Sequence, residues 1–404
     1  MTRYLATVTL AALFLSPLMP TPIDAQGPPD RGAAKLHRKG ARAIPNQYVV
    51  VLQDDAEIAS GNYAAVLGRV NAVLRGRAAV PEHVYAFAIR GFSAFMSEQD
   101  ALAIAADPNV AYVEEDSIVE AIVTQSNATW GLDRVDQRNR PLNGTYVYGS
   151  TGSGVTAYVI DTGIRRTHTQ FGGRAVHGFT AIDDGRGSTD CNGHGTHVAG
   201  TIGGSTYGVA KAVRLVAVRV LSCRGSGSIS GVIAGVNYVS GNHTGSNPAV
   251  ANMSLGSDPS SALDSAVANS IGDGVTYAVA AGNSDTNASR FSPARVGAAI
   301  TVGSSTSTDA RSSFSNFGSI VDIFAPGSSI TSAWSTGDTA LRTISGTSMA
   351  TPHVAGVAAR YLQSNRGASP TTVRNAIVAD ATTGRLTGIP SGTANRLLFR
   401  TGAR

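Results

Sequence analysis

Strand-like and helix-like runs alternate along the last two thirds of the chain. Short apolar runs rich in Val, Ile and Ala predict buried strands at residues 155–160, 214–220, 249–254, 276–281 and 299–303. Apolar residues at helical spacing predict helices at 229–239 and 261–272. This alternation indicates an α/β fold, with a mostly parallel twisted sheet and helices on both of its faces.

A different pattern occupies the first third of the chain. The predicted order is βαββαβ, with these elements: strands at 47–52, 84–89, 91–96 and 110–114, and helices at 62–74 and 98–106. This order predicts a small α+β, ferredoxin-like domain with its core at about 46–117. It contains no constellation of catalytic residues. One alternative is an ordinary small domain that stays in the mature protein, but its place directly before the larger domain favours a removable segment.

Residues 1–25 have the pattern of a secretory signal. Arg3 precedes an apolar run at 5–15, two prolines end the run, and Ile23-Asp24-Ala25 is a suitable cleavage site. We therefore expect a secreted, extracellular protein. No later run reaches about 18 apolar residues, so we expect no membrane anchor.

Composition excludes some functions. The chain has 404 residues, of which 42% are apolar and 15% charged, so two to three domains with large cores are expected. Its net charge is +5, and the basic residues are scattered and almost all Arg. Nucleic-acid binding is not expected, because it needs a basic patch.

Ser348 stands at the start of a predicted buried helix. Gly346 permits a tight turn before it, and residues 354–362 are small and apolar on nearly all sides. A serine in this place faces free backbone N–H groups and the positive end of the helix dipole. Negative charge that develops beside Ser348 would be stabilised there. The alternative is that Ser348 only caps the helix.

Asp161 and His194 complete a candidate catalytic set. Asp161 follows a predicted strand, at the sheet edge where α/β proteins bind ligands, and His194 opens a helix of small residues. Asp161, His194 and Ser348, in this order, are the parts of an Asp-His-Ser triad. A serine esterase is disfavoured, because the sequence has no Gly-x-Ser-x-Gly segment and the order differs.

Three segments resemble the signatures of the subtilisin-like serine proteases: Asp161-Thr162-Gly163, residues 194–200 (His-Gly-Thr-His-Val-Ala-Gly) and residues 346–352 (Gly-Thr-Ser-Met-Ala-Thr-Pro). The sequence over about 130–399 is most similar to the proteinase K branch and its aqualysin-type bacterial members. The resemblance implies a serine endopeptidase that acts through an acyl-enzyme. The alternative is an inactive subtilase that only binds peptides, which the intact triad disfavours.

The resemblance also implies a zymogen. The small domain is similar to the family's I9-type propeptide, which acts as an intramolecular chaperone and inhibitor. The implied division is a signal peptide at 1–25, an inhibitory propeptide at 26–122 and a subtilisin-like peptidase domain at 123–404. We expect self-cleavage near Val123, a monomer, and protein or peptide substrates.

Further site residues are implied by the same resemblance. Asn283 corresponds to the family's oxyanion-hole asparagine, which acts together with the backbone N–H of Ser348. The implied substrate-binding residues are Gly225, Ser226, Gly227, Ser254, Leu255, Gly256, Ala280, Ala281 and Gly282. Their small, uncharged side chains favour a large apolar or aromatic residue before the cleaved bond. Ile229 stands where related enzymes carry an aromatic lid.

Cys191 and Cys223 are the only cysteines of the chain. An exported protein with two cysteines favours one disulfide between them. The alternative is a free Cys191 close to His194.

Structural calcium is the one cofactor that the resemblance implies. Oxygen ligands suit this ion, and three sets are candidates: Asp322 with the carbonyls of Pro293 and Arg295; Asp133, Asp136 and Gln137; and Asp183, Asp184 and Asp190. The alternative is that these are surface acids that form salt bridges. Arg385 replaces a calcium carboxylate of proteinase K, so we expect that weak site to be absent.

Overall fold

The structure, a computed structural model, describes residues 35–39, 43–58, 62–117, 119, 122–244 and 247–400. The predicted signal segment at 1–25 lies outside these residues. The chain divides into two compact units, Met1–Val119 and Glu120–Arg404.

The described residues of the first unit include a five-stranded sheet and two helices. Its elements are β1 (Leu36–His37), β2 (Ala43–Leu52), α1 (Tyr63–Leu74), β3 (Val80–Tyr85), β4 (Gly91–Phe95), α2 (Glu98–Ala105) and β5 (Val110–Ser117). The strand order is β1-β5-β2-β4-β3, and every pair is antiparallel except β1 with β5. From β2 to β5 the elements follow the predicted βαββαβ order.

The second unit contains the remaining strands and α-helices of the described residues. They are β6 (Val123–Ser126), α3 (Trp130–Asp136), β7 (Thr145–Tyr148), β8 (Thr156–Asp161), β9 (Ala175–Thr180), α4 (His194–Gly203), β10 (Arg214–Arg219), α5 (Ile229–Asn242), β11 (Ala249–Met253), α6 (Ser261–Gly272), β12 (Thr276–Ala280), β13 (Ile300–Ser305), β14 (Ile323–Pro326), β15 (Ile330–Ala333), β16 (Leu341–Ile344), α7 (Thr347–Ser364), α8 (Pro370–Asp380), β17 (Thr382–Thr383) and β18 (Arg396–Leu397).

Nine of these strands form the central sheet, in the order β17-β18-β14-β13-β12-β11-β8-β10-β9. All neighbours are parallel except β17 and β18. Strands of such a sheet are buried on both faces, which is why their sequences are continuous apolar runs. In β8, Val159 packs into the core beside α4 and α7, while Tyr158 and Ile160 pack into the opposite core beside α5 and α6.

Helix α7 crosses the interior of the unit. Its residues from Met349 to Leu362 are all buried, which explains why the sequence is small and apolar on every side. It packs on α4 and along β11, β12 and β13. Ser348, the second residue of α7, is therefore positioned by a helix that packs on the central strands of the sheet.

Some elements lack a clear signal in the sequence. Strand β9 contains Gly178 and the exposed His177, so its apolar run is interrupted, and β15 and β16 form a short hairpin of mixed residues. The expected α/β fold is nevertheless confirmed. Within the described residues, no helix is long and apolar enough to cross a membrane.

Candidate active site

The carboxylate of Asp161 and the imidazole of His194 are in direct contact. Asp161 ends β8 and is fully buried, whereas His194 is the first residue of α4. His194 Nδ1 lies 2.8 Å and 3.0 Å from the two carboxylate oxygens, and the N–H of Thr162 donates to Oδ1 at 2.7 Å. This arrangement keeps the proton of the imidazole on Nδ1 and leaves Nε2 available as a base.

The environment of His194 changes its proton affinity. Burial by itself would lower the pKa of His194, but the charge and hydrogen bond of Asp161 outweigh it and raise the pKa above its usual value. A third contribution comes from the charge of Asp190. A raised pKa makes the imidazole a stronger base for the proton that it has to accept.

Ser348 exchanges two hydrogen bonds with Ser254. Its Oγ donates to the Ser254 carbonyl at 3.1 Å, and Ser254 Oγ donates to the Ser348 carbonyl at 2.9 Å. The second bond has a cause in the sequence, because Pro352 lies four residues later and has no N–H for that carbonyl. In this rotamer the described side chains of Ser348 and His194 make no hydrogen bond to each other. Such contacts often form only when substrate is bound.

Asn283 lies beside the N-terminus of α7. Its Oδ1 accepts from the N–H of Thr347 at 2.8 Å and from Thr347 Oγ1 at 2.9 Å. With both donors on Oδ1, the Nδ2 group is directed away from Thr347 and is the end that can donate to a ligand. Thr347 was not identified from the sequence, although a hydroxyl directly before the candidate nucleophile was a visible signal.

A cleft of about 410 Å³ borders His194. Its walls include the predicted segments 225–227 and 254–256, whereas the predicted residues 280–282 are not among them. One part of the cleft is apolar, with the side chains of Leu221, Ile229, Val232, Leu255 and Leu263. An extended peptide with apolar side chains matches this shape and chemistry.

A disulfide joins Cys191 to Cys223. It connects the segment just before His194 to the segment just before residue 225. Asn192 reinforces the connection, because its Nδ2 donates to the Cys223 carbonyl at 3.0 Å. The alternative of a free Cys191 is therefore wrong.

Comparisons with known proteins identify both units. A sequence model of the subtilase family matches residues 152–402, and one of the peptidase inhibitor I9 family matches residues 47–121. The chain belongs to the subtilase family. It is a serine endopeptidase with an I9 propeptide domain, as the resemblance predicted.

Relatives of this subtilase support the same assignment. It is 50% identical to the "Extracellular serine proteinase" of Thermus sp. (strain Rt41A) over 380 residues, which are 91% of this chain and 92% of the relative. It is 54% identical to "Alkaline serine exoprotease A" of Vibrio alginolyticus over 366 residues, 88% of this chain and 68% of the relative. The crystal structure of a cold adapted subtilisin-like serine proteinase matches with a TM-score of 0.66 and 58% identity, covering 68% of this chain and 98% of that one.

Subtilases commonly bind calcium, but two of the three predicted sites do not fit it. Asp322 Oδ1 is paired with Arg374 Nη2 at 2.5 Å, and Oδ2 accepts from the N–H of Thr301 at 2.9 Å. Arg374 thus supplies the positive charge that an ion would bring, and burial raises the pKa of Asp322. The predicted ligand carbonyl of Pro293 accepts a hydrogen bond from the N–H of Val296.

The set of Asp183, Asp184 and Asp190 also requires correction. Asp184 is bound by both terminal nitrogens of the buried Arg219, and the hydrogen bond from Arg219 lowers the pKa of Asp184 to about 2. The Asp190 oxygens accept five hydrogen bonds from the backbone and hydroxyl groups of residues 162, 192, 193 and 196. Asp184 and Asp190 are thus already occupied by an arginine and by donors of the loop before His194.

The third set fits a cation well. Asp136 Oδ1 is buried and accepts no hydrogen bond from any described residue, and burial raises the pKa of Asp136 to about 6. Asp133 Oδ2 accepts from the N–H of Gly144 at 2.6 Å. The side-chain amide of Gln137 lies against Asp133 and Asn143, and its reversed orientation would direct an oxygen into the same place. This group of carboxylate and amide oxygens suits calcium, and Asn143 is a member that the sequence did not indicate.

Proposed function

We propose that this subtilase is a secreted, self-processing endopeptidase whose triad is Asp161, His194 and Ser348. The observation that carries the proposal is the buried Asp161 carboxylate on His194 Nδ1, at the sheet edge next to the N-terminus of α7. The extracellular proteases among its relatives support secretion.

The chemistry follows from these positions. A rotation about the Cα–Cβ bond of Ser348 directs Oγ to His194 Nε2, which takes the proton as Oγ attacks the substrate carbonyl. Asp161 stabilises the imidazolium that forms. The oxyanion accepts hydrogen bonds from Asn283 Nδ2 and the N–H of Ser348. His194 then protonates the leaving amine, and water releases the acyl group by the same steps in reverse.

Substrate binding uses the cleft beside His194. Its two walls, residues 225–227 and 254–256, are suited to hold an extended peptide as an added strand. Because the walls are small and uncharged, the enzyme prefers Phe, Tyr, Leu or Met before the cleaved bond. The apolar side chains around Ile229 select the residues further upstream.

Maturation divides the chain into a signal peptide (1–25), a propeptide (26–122) and a peptidase (123–404). The position of β6, which begins at Val123, supports cleavage there. It pairs with β7, where the hydroxyl of Tyr146 accepts from Arg360 Nη1 at 2.9 Å. Arg360 is 12 residues beyond Ser348 on α7, about 18 Å along the helix axis. Cleavage at Val123 by Ser348 therefore requires the junction to leave its pairing with β7.

Of the three predicted sets, we propose calcium binding only at Asp133, Asp136 and Gln137. Asn143 joins these three residues as a further ligand. A bound ion would neutralise the buried Asp133 and the half-buried Asp136, and it would contact Asp136 Oδ1, which accepts no hydrogen bond within the described part of the chain. The site lies between α3 and β7, so its effect is on stability rather than on the reaction.

The decisive experiment compares the full chain with Ser348→Ala, both produced in a host without other proteases. We expect the parent to bind one serine-directed phosphonate and to be cut near Val123. The Ser348→Ala chain remains uncut and unlabelled, while the control Ser345→Ala, which alters an exposed neighbouring serine, behaves like the parent. Persistent labelling or cleavage in Ser348→Ala would overturn the triad assignment. An unlabelled parent chain would indicate an inactive peptide-binding subtilase.

A further inference from the structure

Asn316 is a fully buried residue behind the Ala281–Asn283 turn, outside the residues that border the cleft. Its side chain makes three hydrogen bonds to the backbone of this turn and the residues just after it. Nδ2 donates to the Ala281 carbonyl at 2.8 Å, and Oδ1 accepts from the N–H of Ser284 at 3.0 Å and of Thr286 at 3.1 Å. The N–H of Asn316 donates to the Gly282 carbonyl at 2.9 Å. These bonds hold the main chain on both sides of Asn283.

Gly282 makes the approach of Asn316 close. Its φ of +101° lies in the left-handed region, and a Cβ at this position would lie 2.4 Å from Asn316 Nδ2. The amide of Asn316 therefore occupies the space that a side chain at residue 282 would need. The left-handed backbone at Gly282 and the side chain of Asn316 therefore fit against each other, so the path of the turn depends on the shape of Asn316.

Asn316 is itself anchored to the sheet by buried serines. Ser315 Oγ donates to the Asn316 carbonyl at 3.0 Å and accepts from the N–H of Ser304 in β13 at 2.9 Å. Ser304 Oγ in turn lies 2.7 Å from Ser312 Oγ. The turn that carries Asn283 is thus tied to a central strand through a network of satisfied polar groups.

The opposite side of Asn283 is held by α7. Thr347 occupies Asn283 Oδ1 with two donors, as described above. Asn316 fixes the backbone of Asn283, and Thr347 fixes the rotation of its amide. The direction of Nδ2 is therefore set by two residues that do not border the cleft.

We propose that Asn316 is a positioning residue of the oxyanion hole, which directs Asn283 Nδ2 to the charge that develops on the substrate carbonyl. This inference rests on the proposed role of Asn283. An aspartate at 316 would have the same shape but could not donate to the Ala281 carbonyl when ionised, and its charge would face that carbonyl's oxygen. The turn would then move, and a small displacement of a catalytic donor is costly for the rate.

The test is a double-mutant cycle between Asn316→Asp and Asn283→Ala in the processed enzyme, with active sites counted by phosphonate titration. Asn316→Asp should lower kcat for a chromogenic peptide by on the order of 10²-fold, as expected for a misplaced donor, with a much smaller change in KM. In the Asn283→Ala background the same substitution should change kcat by less than roughly 3-fold, because the donor it positions is gone.

Asn395→Asp is the matched control. Asn395 also bridges backbone groups, with Nδ2 on the Leu386 carbonyl and Oδ1 on the Leu386 N–H, but its described side-chain hydrogen bonds do not involve residues 281–286. It should leave kcat unchanged in both backgrounds. If Asn316→Asp does not fold, Asn316→Ser enters the same cycle, because its hydroxyl can satisfy one of the turn's groups.

Each outcome decides one question. An unchanged kcat in Asn283→Ala would remove the proposed oxyanion role itself. In a third outcome, Asn283→Ala lowers kcat strongly and the residue 316 variant lowers kcat by its full factor in that background as well. This outcome would show that Asn316 acts on general structure, and it would overturn the positioning role. An unchanged kcat in a folded residue 316 variant would overturn it as well.

Discussion

We expect two buried histidines to make the stability of the peptidase unit sensitive to acid. His353 lies in α7 with Nδ1 2.9 Å from the Met349 carbonyl, and His197 lies in α4 with Nε2 2.9 Å from the Ile330 carbonyl. Burial lowers the pKa of each side chain to about 4 from the usual 6.5. The perturbation we consider is His353→Gln, which keeps a polar side chain but removes the titration.

The sign and size follow from these pKa values. In the unfolded chain each histidine takes up a proton below pH 6.5, whereas the folded state resists protonation until about pH 4. The contribution of these histidines to the free energy of unfolding is therefore fully present above pH 6.5 and is lost as the pH falls towards 4. At pH 5 each histidine lowers the free energy of unfolding by about 2 kcal/mol relative to pH 8. The raised pKa of Asp136 acts in the opposite direction, by about 1 kcal/mol after allowance for its exposure.

Calorimetry of the phosphonate-inactivated enzyme at pH 8 and pH 5 measures this effect without autolysis. The two histidines and Asp136 together contribute a loss of about 3 kcal/mol, which corresponds to a decrease in Tm of roughly 6 °C for a unit of this size. His353→Gln should reduce the decrease by about 4 °C. The control His177→Gln, at an exposed histidine, should leave it unchanged. Equal pH shifts in the parent and His353→Gln would refute the assignment of the effect to buried His353.

Three further predictions concern metal, specificity and the disulfide. Chelation of calcium should lower the Tm of the parent and of Asp322→Asn, but not of Asp136→Asn; a response that vanishes in Asp322→Asn would instead place the ion at that residue. Profiling with a peptide library should find cleavage mainly after Phe, Tyr, Leu or Met, and dominant cleavage after Arg or Lys would contradict the pocket assignment. Replacement of Cys191 and Cys223 by Ser should lower the free energy of unfolding by roughly 3–4 kcal/mol for a loop of this length, measured by denaturant titration; an unchanged midpoint would contradict the estimate.

Much of the fold is readable from local periodicity. Strands buried on both faces need continuous apolar runs, so β8, β10, β11 and β12 were predicted within a residue or two. Helix α7 was recognised by its small apolar residues for the same reason. Strand β9 and the β15–β16 hairpin are formed by pairing with neighbouring strands. Their own sequences show no apolar periodicity, so the sequence did not predict them.

The candidate triad was also identified from the sequence, because each member stands at the end of an element that the pattern predicts. Asp161 ends a strand, while His194 and Ser348 begin helices. In a parallel sheet such ends gather at one edge, so position in the chain already implies proximity.

The environment of these residues was decided only by the tertiary structure. Arg374 lies 52 residues from Asp322 and Asn316 lies 35 from Ala281, and neither pairing leaves a trace in local sequence. An aspartate that binds a cation and one that pairs with an arginine are the same letter in the sequence. The difference lies in which side chains the packing brings within hydrogen-bond distance, because a buried charge takes whichever compensating group the surrounding fold places beside it.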